Sequence, residues 1–140
     1  MTGTPIMNET AKTLITAYYD AFNAGDASAM VALLAEDVRH DINQGGTQTG
    51  RAAFADFLAE MTCGYRETLT DIVIMTDTGG TRAAAEYVVH GTYLAAPLGL
   101  PPAHGQNYVL PGGAFFSIAE GRITRVTNYY NLPNWLAQVS

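Results

Sequence analysis

Apolar residues recur at helical spacing up to Gly64 and in alternation from Tyr65 onward, and this order limits the possible architectures more than any other feature. Ala11, Leu14, Ile15, Tyr18 and Phe22 stand at i, i+3, i+4, i+7 and i+11, one apolar face of a helix. Gly25 stops that helix. Asp26 then caps a second one carrying Met30, Val31 and Leu34, because a side-chain oxygen can satisfy the orphan N–H groups of a helix start. After Glu36-Asp37 the period changes: Val38, His40 and Ile42 alternate with Arg39, Asp41 and Asn43, which predicts a short strand. Gln44-Gly45-Gly46 turns the chain into a third helix, with Phe54, Phe57, Leu58 and Met61 on one face and Gly64 at its end.

Beyond that point the chain reads as sheet. Strands are predicted over Tyr65–Thr76 and 81–94, divided by the turn signal Asp77-Thr78-Gly79-Gly80. A Pro/Gly-rich connection over 95–105 leads to a strand at 108–119, and Glu120-Gly121 makes a tight hairpin into Arg122–Tyr130. Asn131 can cap a final short helix with Pro133 early in it, where a missing N–H costs little. Helices first and strands afterwards place helices on one face of a mostly antiparallel sheet, an α+β fold. Long strands curled around three N-terminal helices leave a cone-shaped apolar cavity, which is the candidate site. No repeat or linker interrupts the order, so residues 1–140 are expected to form one domain, a length that suits a single core.

Composition excludes several functions. Seven basic against thirteen acidic residues give a net charge of −6 with no basic stripe, so nucleic acid is not an expected partner. Cys63 is alone, which rules out an intrachain disulfide and a Cys-rich metal framework. His40, His90 and His104 lack metal-ligand spacing, and neither a nucleophile elbow nor a phosphate or dinucleotide loop is present. No metal or cofactor is expected. The opening MTGTPIMNETAK lacks the basic-then-apolar order of a secretory signal, and no apolar run is long enough to span a bilayer; these predict a cytoplasmic protein without a membrane partner. Charged residues make up 14% of the chain, below the roughly 25% usual for soluble domains, as for a chain that hides surface in an oligomer.

The run from Tyr18 to Asp26, with Ala32-Leu33-Leu34-Ala35-Glu36-Asp37-Val38, resembles the opening of ketosteroid isomerase and of SnoaL-like polyketide cyclases, both of the nuclear-transport-factor-2-like superfamily. Leu98-Gly99-Leu100-Pro101-Pro102 with Gly105 resembles the G-x-P-P-T-G loop of the SnoaL-like group. Gly121-Arg122-Ile123 through Asn128-Tyr129-Tyr130-Asn131 resembles its closing strand. The run His40-Asp41-Ile42-Asn43-Gln44-Gly45-Gly46 is similar to bacterial proteins termed ketosteroid-isomerase-related. The resemblance implies an apolar, steroid- or polyketide-like small ligand and a homodimer formed through the outer sheet face.

It also implies site residues. Ketosteroid isomerisation needs a base beside a carbonyl and donors for the resulting enolate. Tyr18 matches the family's oxyanion tyrosine. Counted without gaps, the isomerase's catalytic carboxylate falls on Ile42, with Asp41 one residue early and therefore on the opposite strand face unless a bulge returns it. That register turns His40 inward, where its ordinary pKa suits a general base near neutrality. Ala114 stands where the isomerase has its protonated Asp. Asn128 stands where limonene-type epoxide hydrolases have the Asp that handles water; an amide can hold a ligand oxygen but cannot take a proton. Ala83, Ala85, Tyr87, Val89 and Tyr93 share one strand face, which makes Tyr87 a pocket wall alongside Phe22, and Glu86 and His90 fall on the outer face. Three functions stay open. One is a cofactor-free isomerase or cyclase using His40, Asp41 and Tyr18. Another is a non-catalytic pocket protein. The last is an epoxide hydrolase or dehydratase on the same scaffold.

Overall fold

The computed structural model describes residues 7–140; residues 1–6, part of the segment read above for a leader, lie outside the described residues. Helix α1 (Met7–Asn23) buries Ala11, Ile15, Tyr18 and Tyr19 on its apolar face. Gly25 ends it at φ 71°, a left-handed conformation that glycine adopts without steric cost. Asp26 caps α2 (Ala27–Ala32) by accepting from the Ala29 N–H at 3.0 Å. Strands β1 (Leu34–Asp41) and β2 (Thr47–Thr49) follow, then α3 (Arg51–Gly64). Four strands and a terminal helix complete the chain: β3 (Tyr65–Thr76), β4 (Arg82–Tyr93), β5 (Asn107–Ala119), β6 (Arg122–Tyr130) and α4 (Leu132–Val139). Asn131 caps α4, accepting from Asn134 N–H at 3.0 Å.

The six strands form one sheet in the order β2-β1-β6-β5-β4-β3, antiparallel except for the β1–β6 pair. Two expectations are corrected by the strand pairing. Leu34 belongs to β1 and not to a helix, because Leu34 pairs with Ile123 and the Leu33 carbonyl accepts from the Ile123 N–H at 3.0 Å. Fully buried Leu34 gains more from this distant partner than from one further helical turn, as tertiary context often overrides local propensity. The second concerns Gln44-Gly45-Gly46, which turns the chain into the short edge strand β2 before the helix begins. The hairpin at Glu120-Gly121 is as expected, both residues taking positive φ (53° and 73°), the requirement of a two-residue type I′ turn.

Helices cover the inner face of the sheet. Buried residues of β4 and β5 (Ala83, Ala85, Val89, Tyr93, Tyr108, Leu110, Ala114, Phe116) meet Ile15, Tyr18 and Tyr19 of α1 and Trp135 of α4. α1 is also pinned to the edge strand β3: the Asn23 amide donates to the Leu69 carbonyl and accepts from its N–H, both at 2.9 Å. This pair substitutes for a neighbouring strand just before the β3 bulge at Thr70–Val73, where Asp71 takes φ 54°. The outer face leaves Val73, Met75, Val109, Phe115 and Tyr129 exposed. Among the described residues no helix is long and apolar enough to cross a membrane.

Candidate functional site

Between the helices and the curled sheet lies a cavity of about 610 Å³, lined mainly by apolar and aromatic side chains. A volume in the range of roughly 300–1,000 Å³ with few polar groups suits a small organic ligand. α1 supplies Tyr18, Tyr19 and Phe22, and α3 supplies Phe54, Phe57, Leu58 and Met61. Apart from Tyr19, these residues stand at the spacings that predict helical faces, so one periodicity builds both core and cavity wall. A second depression of about 740 Å³, over Gln44, Asp71, Glu86, Pro111 and Tyr129, is open to solvent.

One end of the cavity is built on β1 and β6. The alternation of β1 turns Val38 and His40 inward, and His40 is 1% exposed. Its ring sits between Phe54 and Phe57 of α3, with centroids 4.6 and 4.7 Å away. Nε2 of His40 lies 3.4 Å from the Asn128 amide nitrogen, a long contact, while Nδ1 is buried without a partner. Burial lowers the His40 pKa, and the Asp41 charge offsets this only in part, so the ring is neutral at neutral pH. Asn43, beside it on the cavity wall, accepts from the Tyr130 N–H at 3.4 Å through Oδ1, while its buried Nδ2 lies near the Tyr130 phenol but finds no partner at hydrogen-bonding geometry.

Tyrosines occupy the middle. Burial pushes the Tyr18 hydroxyl well above its ordinary pKa, with the Tyr87 phenol adding to the effect, so Tyr18 stays a neutral phenol. Tyr19 packs edge-on against Tyr18, with ring centroids 5.2 Å apart. The Tyr19 hydroxyl faces Tyr87 but finds no partner at hydrogen-bonding geometry. Tyr87 itself is pushed up to about 12, chiefly by burial and then by the charge of Glu67.

The other end holds a carboxylate. Glu67 on β3, Gly91 on β4 and Tyr108 on β5 are register neighbours across three strands. A Cβ at Gly91 would overlap the Tyr108 ring, so glycine is what lets that ring lie across β4. The Tyr108 hydroxyl thereby donates to Glu67 Oε2 at 2.6 Å. Burial raises the Glu67 pKa, and the Tyr108 bond opposes the rise. Trp135 of α4 packs against Tyr108, Tyr93 and Tyr65, at centroid distances of 6.0, 5.0 and 6.0 Å.

Tyr18, Phe22, His40, Ile42, Tyr87 and Asn128 therefore all line one cavity. Asp41 does not. Without a bulge at that position its side chain takes the opposite face of β1, where it accepts from Arg39 at 2.8 Å, Thr47 at 2.9 Å and Thr127 at 2.6 Å. The Thr127 hydroxyl first, and then Arg39, hold Asp41 down at about 2. Ala114 is packed into the core beside its register partner Asn128 and is not on the cavity wall. Glu86 and His90 are on the outer face, His90 Nε2 lying 2.9 Å from the Thr70 hydroxyl. Sequence reasoning missed Glu67, Tyr108, Trp135 and Tyr19 as site residues. The available signal was parity: Glu67 shares a strand face with Tyr65 and Leu69. Among the described residues no group of three or more His, Cys, Asp and Glu side chains is placed to hold a metal ion.

A family model described as a SnoaL-like domain matches residues 15–126. The chain is similar to a candidate polyketide cyclase from Xanthomonas campestris pv. campestris, 60% identical over 96% of this chain and 99% of that one, with a TM-score of 0.93. A candidate polyketide cyclase from Pseudomonas putida is 61% identical over 93% of this chain and 98% of that one, with a TM-score of 0.91. An LEH-like epoxide hydrolase from M. tuberculosis shares the fold, at 17% identity over 98% of this chain and 89% of that one, with a TM-score of 0.76. No curated protein matches the chain.

Proposed function

The chain belongs to the SnoaL-like domain family, with a nuclear-transport-factor-2-like fold, and from that premise we propose that it is a cofactor-free isomerase or cyclase acting on a small apolar carbonyl compound. The cyclase names of its relatives support that class. One observation carries the reading. Of the four buried side-chain polar atoms without a partner among the described residues, three belong to cavity-lining residues: the Tyr19 hydroxyl, His40 Nδ1 and Asn43 Nδ2. Folded chains pair such atoms with protein or with water, so their gathering around one apolar cavity marks where a polar atom of a ligand can take the place of water.

In this mechanism His40 is the base. With Nε2 facing the Asn128 amide, the unpartnered Nδ1 of the neutral ring takes a proton from the carbon beside the carbonyl; the C–H electron pair becomes a C=C bond and the carbonyl π pair moves to oxygen. Tyr18 and Asn128 donate to that oxygen as its charge develops. Donors fixed in a dry site stabilise such charge strongly, and loss of one costs about 100- to 1,000-fold in rate. Return of the proton at the far carbon of a conjugated substrate isomerises it. Attack of the enolate carbon on a second carbonyl closes a ring, and the proton on His40 goes to the new alkoxide. Asp41 takes no part, because it is bound on the other face. A homodimer joined through Val73, Met75, Val109, Phe115 and Tyr129 belongs to the same proposal, as does a single domain over the whole chain.

A non-catalytic pocket protein is the second reading, favoured by the lack of a carboxylate beside His40 to orient it. Enolate mimicry separates the two. 2-Naphthol, a planar mimic of an enolate, is expected to bind at least tenfold more tightly than naphthalene, with the preference lost in Tyr18→Phe. Equal affinity for the two compounds would remove the enolate from the account.

A further inference from the structure

The Glu67 end of the cavity has no task in the chemistry above. Tyr108 reaches Glu67 across Gly91 through a register that places all three side by side on the inner face. Tyr108 is 2% exposed, so this is an interior arrangement and not a surface contact. It engages one carboxylate oxygen, Oε2. Glu67 has no ion-pair partner: the one salt bridge among the described residues is Arg39–Asp41. Glu67 is half-buried, and turning a carboxylate from water toward an apolar cavity with a single donor costs free energy that an apolar residue would not. Glu67 lines the cavity with Tyr65 and Trp135 as aromatic walls beside it, and its Oε1 is left with acceptor capacity. His40 is on β1 and Glu67 on β3, separated in the sheet order by β6, β5 and β4. The cavity thus has two polar ends with aromatic surface between them.

We propose that Glu67, positioned by Tyr108, recognises a hydrogen-bond donor on the ligand, a hydroxyl or an amine, at the end remote from its carbonyl. The inference rests on the reading of the cavity under Proposed function and narrows the ligand class to apolar carbonyl compounds with a donor-bearing tail. Glu67 is a specificity-determining residue in this account and does not touch the reacting carbon.

A series of 4-substituted cyclohexanones tests it, with hydroxyalkyl, aminoalkyl and methoxyalkyl tails of two to six methylenes to scan the separation of the two ends. Trp135 is the one tryptophan and lines this end, so its fluorescence reports occupancy there. At one tail length the hydroxyl or the amine is expected to bind about 10- to 100-fold more tightly than the ether, as for a hydrogen bond to a charged group. Amine over hydroxyl identifies a cationic ligand, and hydroxyl over amine a neutral one. Glu67→Gln keeps the volume and turns an N–H toward the cavity, so the order is expected to reverse in favour of the ether. Tyr108→Phe keeps the carboxylate but frees it to turn, so the donor preference is expected to weaken without reversing. Equal affinity of hydroxyl, amine and ether at every length, no binding by any donor-bearing member, or a native order in Glu67→Gln overturns the proposal. Deuterium exchange into unsubstituted cyclohexanone tests the carbonyl chemistry separately. Exchange without donor preference removes this inference alone, and donor preference without exchange removes proton abstraction alone.

Discussion

Replacing Gly91 with alanine adds a single methyl group, yet the structure assigns it a large cost. The new Cβ would overlap Cζ and Cε2 of Tyr108, whose ring is held in place by burial and by Trp135. Overpacking a closed core costs about 1–3 kcal/mol. Moving the ring also breaks the 2.6 Å bond to Glu67, and a hydrogen bond to a charged group contributes about 1.5–3 kcal/mol. Alanine recovers about 0.5–1 kcal/mol because it loses less backbone entropy than glycine in a strand. The expected net loss is about 3 kcal/mol, a fall in Tm of roughly 10 °C for a chain of this length. Urea unfolding of the four members of a Gly91→Ala, Tyr108→Leu cycle measures it. With the ring gone, Gly91→Ala should become neutral or slightly stabilising, leaving a coupling of about 2–4 kcal/mol. An equal cost in both backgrounds, or no cost in the native one, would refute the claim that Gly91 exists to admit the Tyr108 ring.

Other outcomes follow from the same geometry. Asn23→Ala removes both bonds to the Leu69 backbone and should destabilise the fold by about 2 kcal/mol in urea unfolding, with faster amide exchange along β3. Burial lowers the pKa of His40 below its ordinary 6.5, so as pH falls through that value the unfolded chain takes up the proton first. Stability should therefore drop below about pH 6.5 until His40 is protonated in the fold as well, and the difference from His40→Gln should show this dependence. Turnover should fall on the same acidic side, with its inflection below 6.5. Sedimentation should give a dimer that Phe115→Glu shifts toward monomer; a native protein that is monomeric at all concentrations contradicts the outer-face interface.

Residues whose role depends on local period were legible in the sequence, and those whose role depends on distant register were not. Tyr18 and Phe22 follow from helical spacing. Inward His40 with outward Asp41 follows from strand alternation, because one residue of offset exchanges faces. The β4 faces were read correctly for the same reason, Ala83 and Ala85 being buried while Glu86 and His90 are exposed. Leu34 reads as helical because its partner, Ile123, lies at the other end of the chain and no local pattern announces a parallel pairing. Glu67 stands between Arg66 and Thr68, where a carboxylate looks like ordinary solvated surface. Only the alignment of Glu67, Gly91 and Tyr108 across three strands reveals it, and that alignment is fixed by two registers that no single strand contains.

Deuterium exchange into a panel of cyclic ketones, followed by NMR, tests the central claim most directly, because it detects proton abstraction whatever the true product is. Exchange is expected at the carbon beside the carbonyl with native protein, with a fall of at least 100-fold in His40→Ala and little change in Asp41→Asn, since Asp41 is bound on the far face of β1. Exchange that survives His40→Ala, or no exchange from ketones shown to bind, would contradict it.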